Sequence, residues 1–540
     1  MPASKKDPGV PGTLMKPPRK GVKVRMYRTG LGDCFLLAFP RQAKGKDPRA
    51  KVFYMLIDCG VYYSTEGGGE RMKMIVKDIR DSTGGCLDLL VITHEHWDHV
   101  SAFHPQQAKS MFQEEIEIRR LWLAWTENLE VPLAKELDSN RKSMRLALLE
   151  AVNRMQLLGF KSRDHLLVKG LLDFFGGPLN AVPSGSGMAA APFAAAKKSV
   201  MTEEVMEWLR LEYGKDKTDF LHPGDGPLKL DEGVSGASVY VLGPPEDREL
   251  IRRSDPLGDE VYPKGMALAI ESSFFATFGM VPGQGDGQTD EEDIDEARRL
   301  CLPFDSDRQI RRSEVNDPSK DFADKEFFRE YYLQDEWRQI EGDWLDTASG
   351  FALQLDNATN NTSLAFALEI GKPGKGKVLL FPGDAQVGNC LSWFGKVKLK
   401  SGSKEREVGK DMKWSVGGST VMAEDLLRRT VLYKVGHHGS HNATLRQQGL
   451  ELMTHPDLVA FLPVDEHVAR DLAHYGEMPL RSLVKELAIR TKGRVARNDE
   501  GAKPKDSLST LAPIPGAPEL RSSFVDKTST ELYFEYTINP

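Results

Sequence analysis

Cysteine is scarce in this sequence and occurs without regular spacing. Only five cysteines are present in 540 residues, and no two of them form a CxxC pair. An odd and scattered set argues against both a disulfide framework and a cysteine-ligated zinc site. We therefore expect the chain to work in a reducing, cytoplasmic environment.

Long apolar runs are also absent. Although 40% of the residues are hydrophobic, no run approaches the roughly 18 to 20 apolar residues that a membrane-spanning helix requires. The first 20 residues carry charge and proline but no apolar stretch of the kind found in a signal peptide. We predict a disordered basic tail over residues 1 to 20, followed by a globular protein without membrane segments.

A net positive charge is missing as well. The formal net charge is −7 at pH 7, so the chain as a whole does not attract nucleic acid or anionic lipid. Any binding of phosphate groups must therefore depend on a local cationic site. A metal centre, assisted by side chains such as Lys434, Arg446 and Lys485, is our candidate for that site.

Strand-like and helix-like segments alternate in an order typical of an α/β protein. Strand-like runs begin near residues 22, 34, 51 and 87, and others follow after residue 361. Between these two sets, residues 126 to 350 contain a helical stretch, a Gly/Ala/Ser/Pro linker and an acidic, glycine-rich run. We predict that this segment is a partly ordered insertion between residues 21 to 125 and residues 351 to 540 of one folded unit.

The predicted insertion has features of an exposed regulatory region. It contains an acidic stretch at 290 to 296 and two pairs of adjacent arginines. We interpret it as a cover over the site or as a binding region for a regulatory protein partner. Trypsin is expected to cut first between about 280 and 320.

Ionisable residues are concentrated where the predicted strands end. The runs IDCG, THEHWDH, FPGDA and VGHHGS each follow an apolar strand directly. In layered α/β proteins the carboxyl ends of neighbouring strands meet at one edge, so these loops can converge there. Imidazole and carboxylate groups without paired thiols suit zinc, manganese or iron. The sequence thus predicts a metal centre at this edge.

The densest of these runs is THEHWDHV, residues 93 to 100. His94 and His96 are two residues apart, so on an extended segment their side chains point to the same side and can share one cation. Asp98 and His99 follow at what is expected to be the first turn of a helix. This spacing predicts two adjacent metal positions.

The pattern HxHxDH resembles the signature of the metallo-β-lactamase fold, a four-layer αββα sandwich with a metal site at one edge. The ordered runs TGLGDCFLL, MLIDCG, the histidine motif, NNTSLAFAL, LLFPGDA and YKVGHHGS are similar to those of the soluble hydrolase domain of the DNA-uptake protein ComEC and its free-standing relatives. The similarity covers roughly residues 22 to 125 and 355 to 490. It implies an α/β fold of this type with a large insertion.

The resemblance also implies which residues bind metal. Two divalent ions, zinc or manganese, are expected, and their protein ligands would be His94, His96, Asp98, His99, Asp384 and one or both of His437 and His438. Asp384 would bridge the two ions, and Asp58 would orient a ligand by hydrogen bonding. Ser440 and His441, directly after the histidine pair, are candidates for contacting a substrate phosphate.

The sequence departs from this family pattern at three places, one of which is His96, where ComEC itself has an aspartate. The fold usually has a lone histidine between the HxHxDH motif and the bridging aspartate, but His104, His165 and His222 all lie in unrelated contexts. In the run HYGEMPLRSLVKEL, Glu477 stands where the ComEC-like pattern has a histidine. We interpret Glu477 as a supporting residue or a proton carrier.

A hydrolytic mechanism follows from paired metal ions. They lower the pKa of a bridging water and stabilise the oxyanion that forms when the resulting hydroxide attacks. Asp384 would hold this water, and His437, His438 or Glu477 would protonate the leaving oxygen. Asp98 completes the set of predicted catalytic residues.

Neither fold nor metal selects the substrate, because the same chemistry serves phosphodiesters, lactones, thioesters and β-lactams. The ComEC-like pattern favours phosphodiesters, so we predict a metal-dependent nuclease or phosphodiesterase with nucleic acid as its substrate. One alternative is hydrolysis of a small phosphodiester of the choline-phosphate type or of a lactone. The other is a regulatory or binding module in which the metal is structural.

Overall fold

The computed structural model describes residues 14–42, 49–157, 163–176, 201–254, 325–327, 343–401, 404–475, 477–502 and 509–540. Most of the predicted basic tail lies outside these residues. So do the acidic stretch at 290 to 296, the paired arginines and the stretch in which trypsin is expected to cut.

The strands of the described residues are β1 Val22–Tyr27, β2 Cys34–Pro40, β3 Val52–Cys59, β4 Cys86–Leu87, β5 Leu89–Val91, β6 Glu117–Ile118, β7 Leu121–Ala124, β8 Thr218–Leu221, β9 Ala237–Gly243, β10 Ala365–Ile370, β11 Lys377–Phe381, β12 Val397–Ser401, β13 Lys404–Val408, β14 Lys413–Val416, β15 Ser419–Met422, β16 Thr430–Lys434, β17 Val459–Leu462, β18 Val495–Arg497 and β19 Tyr533–Ile538. The helices are α1 Gly68–Thr83, α2 Trp97–Val100, α3 Lys109–Glu114, α4 Pro132–Leu157, α5 Arg163–Leu172, α6 Met201–Lys217, α7 Arg248–Arg252, α8 Lys325–Phe327, α9 Asp343–Asn360, α10 Val387–Ser392, α11 Ala423–Arg428 and α12 Arg481–Thr491.

Two large mixed sheets organise these elements. The first has seven strands in the order β19-β1-β2-β3-β5-β7-β8, and the second has six in the order β18-β17-β16-β11-β10-β9. In the first sheet β3, β5, β7 and β8 run parallel, and in the second β11, β16, β17 and β18 do. The α/β class predicted from the alternating patterns is confirmed.

Apolar side chains fill the space between the two sheets. Phe35 of the first sheet contacts Phe381 of the second, with ring centroids 5.7 Å apart, and both belong to one buried cluster drawn from the two sheets. A second buried cluster joins the other face of the seven-stranded sheet to α1 and α6. A third joins the other face of the six-stranded sheet to α5, α9, α11 and α12. Helices therefore cover the outer face of each sheet.

The segment predicted as an insertion contributes to both sheets. β8 pairs in parallel with β7 at the edge of the seven-stranded sheet, and β9 pairs antiparallel with β10 at the edge of the six-stranded sheet. These edge strands bury apolar residues such as Val239 and Val241 in the core between the sheets. Residues 126 to 350 therefore include parts of the sheets themselves, in addition to helices outside them.

Among the described residues, no helix combines the length and the apolar character needed to cross a membrane.

Candidate metal centre

The four ionisable runs singled out in the sequence meet at one edge of the protein. The Asp58 side chain lies at the end of β3, the histidine motif follows β5, Asp384 follows β11, and the His437 and His438 pair follows β16. β3 and β5 are parallel neighbours, as are β11 and β16, so their carboxyl ends lie together. The ionisable side chains of these runs that form the centre are at most 2% exposed.

Close backbone packing holds the loops at Gly60 and Asp98 against the turn that contains Asp33. The Asp33 amide donates to the Asp98 carbonyl oxygen at 2.9 Å, and the Gly60 amide donates to the Asp33 carbonyl oxygen at 3.0 Å. A Cβ atom on Gly60 would lie 2.3 Å from the Asp98 carbonyl carbon. Glycine is therefore required at this position, and the packing brings Asp33 into the site.

Four buried residues form the group best placed to hold a metal ion. Asp33, His99, Asp384 and His438 each offer one ligand atom, and these atoms all lie within 4.8 Å of one another. His99 Nε2 is 3.2 Å and His438 Nε2 is 3.3 Å from Asp384 Oδ2. We call these four residues the central cluster.

The two carboxylate oxygens of Asp384 have different neighbours. Oδ1 accepts hydrogen bonds from Lys434 Nζ at 2.9 Å and from the His437 amide at 3.1 Å. Oδ2 faces the two imidazoles of the central cluster. Burial opposes ionisation, but the positive charges of Lys434, His99 and His438 hold the pKa of Asp384 well below its usual value.

His99 is oriented by Asp58. Its Nδ1 atom donates to Asp58 Oδ2 at 2.9 Å, which directs Nε2 towards Asp384. Asp58 is held in turn by the amide and hydroxyl groups of Thr93, at 2.8 and 2.7 Å. Asp58 has a φ of 53°, an uncommon conformation for a residue other than glycine. The structure thus places Asp58 where the orienting role predicted for it can be performed.

His438, not His437, belongs to the central cluster. Its Nδ1 atom donates to the Pro463 carbonyl oxygen at 2.8 Å, and its Nε2 atom is 2.7 Å from Asp98 Oδ2. Burial lowers the pKa of His438, but Asp384 and Asp98 together raise it to about 10. His438 Nε2 therefore faces two carboxylates, Asp98 and Asp384, and could bind a metal ion there.

His94 and His96 form a second nitrogen pair beside the central cluster. His94 Nε2 and His96 Nδ1 are 3.1 Å apart. Burial is the main cause that lowers the pKa of His96 to about 4 and that of His94 well below its usual value, so both rings are neutral near pH 7. Two nitrogen ligands of one tetrahedral zinc ion are about 3.3 Å apart, so this pair can share a cation.

Buried polar atoms without partners show that the residues present fit a metal ion. Among the described residues, Asp33 Oδ1, Asp98 Oδ1 and His99 Nε2 are buried and have no hydrogen-bond partner. Such atoms carry a desolvation penalty that a partner relieves. A divalent cation accepts electron pairs from carboxylate and imidazole, so it would satisfy all three.

Of two further members of the site, Asp33 carries no role in the sequence-based prediction and Lys434 carries a different one. Asp33 lies in the run TGLGDC just before β2, and its acid at a glycine-rich turn was the signal that could have identified it. Lys434, interpreted as a phosphate-attracting group, is 1% exposed and lies 2.6 Å from Asp33 and 2.9 Å from Asp384. Because it already pairs with two carboxylates, the interpretation of Lys434 as an open phosphate contact is wrong.

Of the other predicted phosphate contacts, Arg446 and Lys485 lie on the surface, and His441 is partly buried. Arg446 is exposed and its Nε atom lies 2.8 Å from Glu451, and Lys485 is exposed on α12. His441 is half-buried next to the histidine pair. Their roles towards a substrate stay predictions.

His437 and Ser440 interact with each other next to the central cluster. The Ser440 hydroxyl donates to Asn442 Oδ1 at 3.0 Å and accepts from His437 Nδ1 at 2.8 Å. Asn360 Nδ2 approaches His437 Nε2 at 3.3 Å. Ser440 therefore orients His437, which sequence reasoning did not predict.

Glu477 lies on the surface. Its side chain is exposed, and its carboxylate accepts a hydrogen bond from the Arg481 amide at the start of α12, at 3.3 Å. This contact is one that a helix terminus commonly makes with an acidic side chain. The structure therefore does not bring Glu477 into the buried centre.

An aromatic wall closes the centre on the side of His96. The Phe175 ring packs edge-on against the His96 ring at 4.8 Å, and the Phe174 ring is 5.7 Å from it. Tyr475 contacts both Phe174 and His437, at centroid distances of 5.5 and 6.1 Å. Phe174 and Phe175 follow α5, so part of the predicted insertion covers the site directly.

A buried ion network ties α4 to the histidine motif. Glu95, between the two histidines, lies 2.8 Å from both Arg141 and Arg145. Burial opposes ionisation of Glu95, but the two arginines lower its pKa to about 2. This network anchors the motif from the side opposite to the central cluster residues.

The structure thus contains a buried aspartate and histidine group that can bind a metal ion. No protein-family model and no curated protein sequence matches this chain.

Proposed function

We propose that this protein is a metal-dependent hydrolase of phosphodiesters, with nucleic acid as its substrate. The observation that carries the proposal is the central cluster, Asp33, His99, Asp384 and His438, in which four ligand atoms lie within 4.8 Å of one another in a buried site.

The arrangement of the sheets supports a fold of the metallo-β-lactamase type. Two mixed sheets pack face to face with helices outside each of them, as expected for a four-layer αββα sandwich. The candidate centre lies at the carboxyl ends of parallel strands, where α/β proteins commonly bind ligands. Both features agree with the resemblance carried by the HxHxDH motif.

We assign two metal positions. The first would be held by His94 Nε2 and His96 Nδ1, which face each other at 3.1 Å. The second would be held by Asp33, His99 and His438 of the central cluster, with Asp98 beside His438, around Asp384. Asp384 Oδ2 faces His99 and His438 of the second group, and the charge of Asp384 also acts on His94 and His96, which is compatible with the bridging role.

Paired metal ions would supply a hydroxide nucleophile near neutral pH and neutralise charge on the transferred phosphoryl group. The residues of this chain would keep the ligands in place. Lys434 balances the charges of Asp33 and Asp384, and Asp58 fixes the ring of His99. Burial lowers the pKa of His437 to about 3, so this residue is neutral and acts by hydrogen bonding.

The aromatic wall supports a second candidate, the hydrolysis of a small phosphodiester or a lactone. Phe174 and Phe175 are at most 2% exposed and pack on His96. A small apolar or cationic substrate fits a site with aromatic walls, and a polymer requires the wall to move.

The test is a comparison of substrates with purified full-length protein in Mn²⁺ or Zn²⁺. Labelled single-stranded DNA, double-stranded DNA, RNA, bis(p-nitrophenyl) phosphate, a choline phosphodiester and a lactone would be supplied in parallel. We expect nucleic acid to be cleaved by the parent protein and not by the double variant His94→Ala/His96→Ala. The matched control, His222→Ala/His455→Ala, removes two histidines that lie outside the centre and should retain activity.

Cleavage of the choline phosphodiester or lactone without cleavage of any nucleic acid would transfer the proposal to the second candidate. Equal activity in the parent and the His94/His96 variant would contradict both candidates.

A further inference from the structure

We infer that Asp356 and Asn360, one turn apart in α9, form a polar clamp that positions His96 and His437 in the metal centre. The inference rests on the proposed function, because the clamp has a role only if His96 binds a metal ion. Neither residue belongs to the four ionisable runs identified in the sequence.

A chain of contacts connects the two histidines through α9. Asp356 Oδ1 lies 3.7 Å from His96 Nε2, and Asp356 Oδ2 accepts a hydrogen bond from Asn360 Nδ2 at 3.1 Å. Asn360 Nδ2 also approaches His437 Nε2 at 3.3 Å. Residues four apart share one face of a helix, so a single helix face contacts the histidine motif after β5 and the histidine pair after β16.

Three other imidazoles of the centre, those of His94, His99 and His438, share one arrangement, in which the ring nitrogen opposite to the inward one has a polar partner. Each of them uses Nδ1 for a partner on the outside, while Nε2 points inwards. These outer partners are the Thr93 hydroxyl for His94 at 3.1 Å, Asp58 for His99 at 2.9 Å and the Pro463 carbonyl oxygen for His438 at 2.8 Å.

His96 is turned the other way round. Its Nδ1 atom faces His94 Nε2 at 3.1 Å, so its outer atom is Nε2. Asp356 Oδ1 is the carboxylate oxygen facing that atom. Within the described residues, His96 Nε2 and Asp356 Oδ1 are both buried and neither has a hydrogen-bond partner of normal geometry. Asp356 Oδ1 is therefore available to His96 Nε2, and the Tyr475 hydroxyl also interacts with Asp356.

This orientation determines the proton position on His96. A metal ion at Nδ1 requires a lone pair there, so the single proton of the neutral ring must reside on Nε2. An acceptor at Asp356 Oδ1 favours this tautomer and holds the plane of the ring, as carboxylates commonly do for metal-binding histidines. Asp356 is thus a positioning residue that acts through His96.

The same geometry distinguishes positioning from direct ligation. Asp356 faces the ring nitrogen opposite to the one that faces His94. A carboxylate in that place accepts the proton of the ring nitrogen that does not bind metal, and so orients the ring.

The test compares two substitutions of Asp356 in full-length protein. Each variant is titrated with Zn²⁺ or Mn²⁺ alone in a calorimeter, and its bound metal is then analysed. Asp356→Asn keeps an oxygen that can accept the Nε2 proton, so we expect less than about tenfold weaker binding at one position. Asp356→Leu removes the acceptor, so we expect about 10- to 100-fold weaker metal binding at that position and unchanged metal binding at the other. Asp138→Leu, which replaces another buried helical aspartate outside the centre, should bind metal as the parent does.

The Asp356→Asn result separates the possible roles. If Asp356→Asn lowers the amount of bound metal as much as Asp356→Leu does, Asp356 is a direct ligand and the positioning role is overturned. If the Asp356→Leu variant binds metal as tightly as the parent protein, the clamp has no role. Thermal unfolding of the metal-free variants checks that each has folded. Absence of metal binding by the parent would overturn the proposed centre and the clamp together.

Discussion

Asp384 connects the cationic and the metal-facing parts of the centre through its two carboxylate oxygens. Oδ1 is held by Lys434 and by the His437 amide, and Oδ2 faces His99 and His438. A carboxylate fixed on one oxygen can offer the other to a metal ion without losing further conformational freedom. This arrangement makes Asp384 the residue whose charge matters most for metal binding.

We predict that Asp384→Asn removes activity and lowers metal content together. The amide is neutral and matches neither the Lys434 charge nor the needs of a bridging ligand, so the loss of activity should exceed about a hundredfold. Metal analysis and turnover measurements on the same preparations provide the check. Cys59→Ser is the control, because Cys59 is a buried thiol 3.5 Å from Cys34 and should retain its metal. An active Asp384→Asn protein with a full metal complement would contradict the bridging role.

At the scale of elements, α4 supports the histidine motif through a fully buried guanidinium group. Arg145 is 0% exposed and lies 2.8 Å from Glu95, and it also pairs with Glu203. Removing one partner from a buried ion pair leaves the other charge without compensation. The anchoring of α4 therefore depends on Arg145 more than on any exposed pair of the same helix.

Arg145→Met is expected to lower the free energy of unfolding by about 3 to 5 kcal/mol. Lys142→Met provides the matched control, because Lys142 is 41% exposed and its pair with Asp138 should contribute less than about 1 kcal/mol. Urea unfolding followed by circular dichroism measures both values. Similar stabilities of the two variants would show that the buried network does not anchor α4.

We expect the segment after α5 to limit access to the centre. Phe175 packs on His96, and the side chains of the central cluster are at most 2% exposed. A chelator or a polymeric substrate would therefore reach metal bound in the centre only after the aromatic wall had moved. Such movements commonly limit exchange in buried sites.

Phe175→Ala should open this wall. We expect faster loss of bound metal to a chelator and, if the substrate is a polymer, faster cleavage. Stopped-flow measurement of metal release would record the difference from the parent. Phe112→Ala, in the core outside the seven-stranded sheet, provides a control for general loosening, and equal release rates in the two variants would contradict a specific role for Phe175.

At the scale of the whole molecule, the net charge of −7 gives no general attraction for polyanions. Lys434 is engaged by Asp33 and Asp384, so it adds little to that attraction. If nucleic acid is the substrate, the metal ions must provide most of the attraction for phosphate.

Chelation should therefore weaken nucleic acid binding at least tenfold, as measured by fluorescence anisotropy of labelled single-stranded DNA with and without Mn²⁺. Salt dependence should be shallow, because few protein cations contact phosphate. Unchanged affinity after removal of the metal would show that a surface of the protein, and not the metal centre, binds the polymer.

The sequence by itself determined the elements and the place of the ionisable runs. The strand-like runs beginning near residues 22, 34 and 51 are β1, β2 and β3. These features depend on local apolar periodicity, which backbone geometry and burial select within a few residues. The parallel strands also explain why His94, Asp384 and His438 could be expected at one edge.

Only the tertiary structure decided which side chains meet there. Asp33 joins the central cluster because the chain at Gly60 packs against Asp98, and Asp356 approaches His96 from a helix 260 positions further along the sequence. It also separated His438 from His437 and placed Glu477 on the surface. Contacts of this kind depend on strand order, helix placement and backbone approach over long sequence separations, and local periodicity carries no information about them.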